Sequence, residues 1–312
     1  MEAQKILQHL KRFIAEPDNN RMLEQIILRE NESYNNLCRR SEELDFGPQV
    51  STREALDPIF LETTTNVRKF LDFSGTTDPK YRMYPFPEVA RAFLIGGRKG
   101  AICGFIVGAI GQLQIYASNP EQYSIQDLHF LGESVLSAAI GIGAVVSYKL
   151  FLHFLRTPCF VSDRRLGGPT IVVHPFTSQK QLIPMIAHEY AHHLQYESSF
   201  PNVRSLKEGH ARGIEKEIST SSSTEHTDAS RFFHRYPRYL SELKSGYLFA
   251  SKSASSLPCP EILALPFCVR RKEIYALGVT AFAVAQERHG VEIYRKALKG
   301  DFSFLGIESV TA

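Results

Sequence analysis

Apolar residues recur at helical spacing in the first 45 positions. Ile6, Leu7, Leu10, Phe13 and Ile14 share one face of a first helix, and Met22, Ile26, Ile27 and Leu37 continue on a second. Between them Glu16-Pro17-Asp18-Asn19-Asn20 breaks the period. Residues 46–90 are mixed in pattern, with Gly47-Pro48, Thr63-Thr64-Thr65, Asp78-Pro79 and Pro85-Phe86-Pro87 as breakers and room for a helix over 52–73. Two long apolar stretches follow, 101–120 and 134–155, the second interrupted by Lys149. The β-branched run Pro169-Thr170-Ile171-Val172-Val173-His174 predicts a short strand. A helix capped by Thr177 or Ser178 comes next, with Leu182, Ile183, Ile186, Tyr190 and Leu194 as its apolar stripe. The polar run 219–230 has nothing to bury and reads as a loop. It leads into Arg231-Phe232-Phe233-His234-Arg235-Tyr236-Pro237-Arg238-Tyr239, aromatic and basic, read as a helix packing its aromatics. Near the C-terminus, residues 273–278 open an apolar helix over 279–286. His289-Gly290 closes it, and another helix spans 291–298. The expected fold class is α+β and mostly helical.

The two apolar stretches change the picture. About 20 apolar residues span a bilayer, so 101–120 is long enough, and 134–155 suffices if Lys149 snorkels. Gly104 and Gly108 sit at the four-residue spacing that lets membrane helices touch. Arg91, Arg98 and Lys99 precede the pair, and Lys149, Arg156, Arg164 and Arg165 end or follow it. The connection carries Glu121, Asp127 and Glu133 without Lys or Arg. By the positive-inside rule this is a transmembrane helical hairpin with both termini in the cytoplasm. Gln112 and Gln114 keep a second reading open, a buried helical pair in a soluble cytoplasmic protein. Three regions follow: 1–90, helical and of unassigned role; 91–157, the apolar hairpin; and 158–312, the region with the chemistry. A net charge of +3, with basic residues scattered, argues against nucleic acid as a partner. Five cysteines, odd in number and with no C-x-x-C pair, suggest neither a disulfide framework nor a cysteine-bound metal. Met1-Glu2-Ala3-Gln4-Lys5 lacks a basic region followed by an apolar core, so no signal peptide is expected.

The chemistry centres on His188-Glu189-Tyr190-Ala191-His192, an H-E-x-x-H spacing. Residues four apart share a helix face, so both imidazoles can grip one metal ion, and Glu189, about 100° further round, reaches a water bound to it. Neutral imidazole suits Zn²⁺, which in catalytic sites takes three protein ligands and keeps a position open for water. A metzincin would need Gly at 195 and His at 198, where this chain has Gln195 and Ser198. A following helix instead offers Leu206-Lys207-Glu208-Gly209-His210-Ala211-Arg212-Gly213-Ile214-Glu215.

H-E-x-x-H followed by E-G-x-A resembles the gluzincin metallopeptidases, the thermolysin- and aminopeptidase-like zincins, and among them the small minigluzincins. The resemblance covers residues of about 165–300. It implies a zincin-like catalytic domain with His188 and His192 as zinc ligands, Glu189 as general base and Glu208 as third ligand, Glu215 or His210 standing in if Glu208 does not. The family often carries an acidic residue four positions after the ligand Glu, supporting a zinc histidine. Here that position is Arg212, so either Glu215 takes the role or the support differs. Tyr275, in Tyr275-Ala276-Leu277-Gly278, matches the tyrosine that donates to the oxyanion in the aminopeptidase-like members, although a tyrosine packing at a helix start explains it equally. The strand ending at His174 matches the edge strand that pairs with extended substrate along the cleft. His234 and His226 would be ligands only in the absence of Glu208.

The expected function is zinc-dependent peptide-bond hydrolysis by a metal-activated water with Glu189 as general base. The substrate would be a peptide or protein and the cofactor Zn²⁺. The lipid bilayer is a partner through 101–120 and 134–155, with the catalytic domain facing the cytoplasm. The alternative is a catalytically inactive zincin-fold membrane interaction protein.

Overall fold

The computed structural model describes residues 2–74, 79–83, 159–163, 168–173, 177–198, 200–220, 231–251 and 266–308. Among them are eight helices: α1 (Glu2–Ala15), α2 (Pro17–Arg39), α3 (Arg53–Leu71), α4 (Gln179–Glu197), α5 (Arg204–Thr220), α6 (Tyr236–Ser251), α7 (Pro266–His289) and α8 (Glu292–Leu298). The strands are short: β1 (Gln49–Val50), β2 (Lys80–Met83), β3 (Cys159–Asp163), β4 (Gly168–Val173) and β5 (Thr177–Ser178). The protein is therefore mostly helical with little sheet.

One compact unit gathers residues 1–81, 159–171 and 177–312, and a second gathers 82–158 and 172–176. The expected membrane hairpin, 101–120 and 134–155, lies outside the described residues, as do His174 and residues 221–230. Among the described residues no helix is long and apolar enough to cross a membrane.

The N-terminal helices are built into the first unit. Ile6, Leu10, Phe13 and Ile14 are buried along the expected face of α1, and α1 packs on α6 and α7. The break before α2 is shorter than the residue pattern suggested. Glu16 alone separates the helices, because Pro17 sits in the first turn of α2, where its missing N–H costs nothing. Asn19 is fully buried there, and its amide donates to the Phe13 carbonyl (2.7 Å) and to Glu16 Oε2 (3.1 Å). On α2 the buried stripe is Leu23 and Ile26, followed by Glu30, while Met22, Ile27 and Leu37 are half-buried. Glu30 is tolerated inside because Lys216 Nζ (2.6 Å) and the Tyr236 hydroxyl (2.8 Å) both donate to it. Helix α3 fills the 52–73 window, with the Thr52 hydroxyl accepting from the Ala55 amide (3.3 Å) and Asp72 in the left-handed region at φ 51° closing it.

Three features position the central helix α4. Its N-cap residue is Ser178, yet no side chain caps it. Instead β1 pairs antiparallel with β5, Gln49 opposite Ser178 and Val50 opposite Thr177. The first α4 amides then continue the pairing, Gln179 donating to the Pro48 carbonyl (2.9 Å) and Lys180 to that of Phe46 (3.2 Å). Backbone from the 46–48 turn thus satisfies donors that a helix start would leave open. Leu182, Ile186, Tyr190 and Leu194 are fully buried, as are the small Ala187 and Ala191.

The run over 169–173 is a strand, but not at an edge. The sheet order is β2-β4-β3, so β4 has a neighbour on both sides. The expectation of a free edge for substrate pairing is corrected accordingly. Thr170, Ile171, Val172 and Val173 are all buried, which is what an uninterrupted β-branched run suits.

Helices α5 and α7 cross in close contact. A Cβ on Gly209 would stand 2.5 Å from the Gly278 carbonyl oxygen, and one on Gly278 would collide with the Ser205 carbonyl. The two glycines of E-G-x-A and Y-x-x-G are therefore the crossing point itself. Helix α7 begins at Pro266, so Tyr275 lies within the helix rather than at its opening. Gly290, at φ 71°, then turns the chain into α8.

Candidate metal site

His188, Glu189 and His192 project from α4, a helix buried on nearly every side. The crossing of α5 over α7 sets the rotation of α5, and Glu208 comes to face both imidazoles. Its Oε2 lies 3.6 Å from His188 Nε2 and its Oε1 3.9 Å from His192 Nε2. One donor atom from each of the three lies within 4.8 Å of the others. The two pairings to Glu208 are too long for hydrogen bonds. They are close to the separation of about 3.3 Å between neighbouring ligands held 2.0–2.1 Å from a tetrahedral ion. Two imidazoles and a carboxylate at this spacing could hold a metal ion.

The other ring nitrogens face further polar groups. Glu215 Oε2 stands 2.9 Å from His188 Nδ1, and Gln195 Oε1 2.8 Å from His192 Nδ1. Gln195 bonds Nδ1 of His192, Glu215 stands close to Nδ1 of His188, and Nε2 of both rings is directed to Glu208. Ligands of this kind are commonly oriented by such outer partners. Glu215, held open as a substitute ligand, thus stands behind His188 rather than beside Glu208. His210, the other substitute, is fully buried between Gln195 Nε2 (3.0 Å) and the Tyr294 carbonyl (3.0 Å). His234 is exposed and packs on Phe46, ring centroids 4.8 Å apart. His226 lies outside the described residues.

Buried charge surrounds the pair His188–Glu215. Arg212 contacts Glu215 Oε2 through Nη1 and donates from Nε to Glu242 Oε2 (3.1 Å). Arg235 Nε stands 2.9 Å from Glu215 Oε1. Burial raises the Glu215 carboxyl, but Arg212, Arg235 and His188 outweigh it and hold it well below the usual carboxylate range. Arg212 stays charged in the interior because Glu215 and Glu242 more than offset its desolvation. For Glu208 burial is again outweighed, by His188, His192 and Arg212, and its pKa falls to about 2. Burial pushes the His188 imidazolium down, yet the Glu208 and Glu215 carboxylates reverse this and raise it. His192 is lowered, first by burial and then by the charge of His188. The pocket therefore keeps Glu208 ionised, as a cation requires, while the carboxylates around His188 favour its protonated ring, from which a cation would have to displace the proton.

Glu189 is buried beside this group, and its charge is felt at His192 and Arg235. Tyr275 has a different neighbour: its hydroxyl accepts from Arg204 (2.6 Å), whose guanidinium also lies 5.0 Å over the ring. Arg204 opens α5, one turn before Glu208.

The sequence pattern does not point to Gln195, Arg235 or Glu242, and it marks Arg212 only as a departure from the family motif. Gln195 was accessible, since it follows His192 by three on the same helix face. Arg235 was not, because residues 221–230 separate it from α5 and no spacing rule crosses such a segment. Comparison with protein-family models, with curated proteins and with solved structures finds no match.

Proposed function

We propose that this chain is a zinc-dependent peptidase of gluzincin kind. The observation that carries the reading is the approach of His188 Nε2 and His192 Nε2 to one carboxylate, Glu208, with Gln195 bonded to Nδ1 of His192 and Glu215 close to Nδ1 of His188. A zinc ion held by these three residues would polarise the scissile carbonyl and bring the pKa of a water towards 7. Glu189, next to the first ligand and buried, takes the proton of the attacking water and passes it to the leaving amine. Tyr275 is assigned the oxyanion, which a phenol donor stabilises. Residues 101–120 and 134–155 anchor the chain in a bilayer with the catalytic region on the cytoplasmic side. Release from membranes by alkaline carbonate would overturn that part.

The test is metal analysis together with cleavage of a peptide library by the purified full-length protein. One zinc per chain is expected in the wild type, with clear loss in Glu208→Ala. Glu189→Gln is expected to keep the metal and lose cleavage by about 10²–10⁴-fold, the usual contribution of a positioned base. Cleavage that is equal in both, or absent in both, sinks the enzyme reading, and the second result leaves an interaction protein on the same scaffold.

A further inference from the structure

The outer support of His192 runs further than one residue. Gln195 Nε2 lies 2.9 Å from the Lys207 carbonyl oxygen and 3.0 Å from His210 Nδ1. A backbone carbonyl only accepts, so the amide nitrogen of Gln195 must be the atom facing Lys207. That orientation turns Oε1 to His192 Nδ1 at 2.8 Å, and Nδ1 must carry the hydrogen. The second amide hydrogen then points at His210 Nδ1, which must accept. His210 Nε2 in turn faces the Tyr294 carbonyl at 3.0 Å, again an obligate acceptor. Carbonyls at both ends fix every donor and acceptor between them, so no amide flip or alternative tautomer satisfies the set.

We infer that Gln195 and His210 are positioning residues that lock His192 as its Nδ1–H tautomer and so present the Nε2 lone pair to a metal. The inference rests on the metal-site reading above but makes a statement of its own about the metal-free protein. Gln195 also couples the two ligand helices. One side chain on α4 holds His192 and bonds the carbonyl of Lys207, the residue before Glu208 on α5. A turn of either helix therefore moves both ligands together.

The experiment has two readouts. Long-range ¹H–¹⁵N correlation on the metal-free wild type is expected to show His192 as the Nδ1–H tautomer, and a dominant Nε2–H form overturns the inference without any variant. Zinc affinity, measured by competition with a chromogenic chelator, is expected to weaken about 10- to 100-fold in Gln195→Met, the usual effect of losing an outer partner. Methionine keeps the buried volume, so circular dichroism of that variant should stay native. An unchanged affinity in the folded variant overturns the proposal. His210→Phe is expected to move both readouts in the same direction and by less. A wild type that binds no zinc would overturn the metal-site reading, and the tautomer would still decide the relay.

Discussion

At the scale of single residues, Glu215 is the group on which the site's electrostatics turn. It is fully buried, stands against His188, and is met by Arg212 and Arg235. A buried charge is sustained only by partners, and removing one member of such a set typically costs about 3–5 kcal/mol because the others are left uncompensated. Glu215→Gln is expected to destabilise the fold by about that amount, read as a shift of the urea midpoint. It should also weaken the proposed zinc binding by about tenfold, through loss of the carboxylate behind His188. Arg212→Met, which removes the countercharge and keeps the carboxylate, is expected to destabilise comparably. Stability unchanged in both variants would contradict this account of the cluster. The sequence left open whether Glu215 would replace the acidic residue missing at 212. Positions 208, 212 and 215 lie four and then three apart, on one face of α5, so either of the latter two can look towards α4. The structure gives that place to Glu215 and uses Arg212 to neutralise it.

Among the elements, the crossing of α5 and α7 decides where Glu208 points. Gly278 has no room for a side chain: its Cβ would collide with the Ser205 carbonyl, which is backbone and has no rotamer to move. Gly278→Ala is expected to cost about 1–3 kcal/mol as overpacking. It should also lower affinity at the proposed zinc site, because the helices can relieve the clash only by separating, and Glu208 moves with α5. A thermal melt and a chelator competition check the two effects, and a wild-type melting temperature would refute the first. The elements themselves were largely legible. α1, α3, the core of α4 and α8 follow from apolar spacing and turn residues, with Thr52 and Gly290 marking ends where expected. The phase of α2 was not, because its inward stripe continues on Glu30, a residue that looks solvent-seeking until Lys216 and Tyr236 are placed beside it. The middle place of β4 was also hidden, since strand order depends on which segments come to lie alongside.

Across the whole molecule, the helices of residues 1–39 belong to the fold that holds the site. Leu10, Ile14 and Leu23 are fully buried and Ile26 is 2 % exposed. Burying each such side chain contributes about 1.5–3 kcal/mol, so the four together are comparable with the net stability of a typical domain. Surface pairs across the same boundary, such as Arg29 with Glu287 (2.9 and 2.7 Å), add about 0–1 kcal/mol. Deletion of residues 1–40 is therefore expected to abolish cooperative unfolding of the remaining chain. Circular dichroism melts and protease resistance would show it, and a truncated protein melting within a few degrees of the full chain would contradict the packing described. What the sequence determined alone is local: the helical period, and with it the shared face of His188, His192 and Gln195, which follows from 3.6 residues per turn. What only the tertiary structure decided is which residues from other helices meet that face. Glu208 opposite the imidazoles, Glu215 behind one of them and Arg235 beside Glu215 depend on the rotation of α5 and the path into α6. Those are set by contacts between segments far apart in the chain, and no spacing along one helix encodes them.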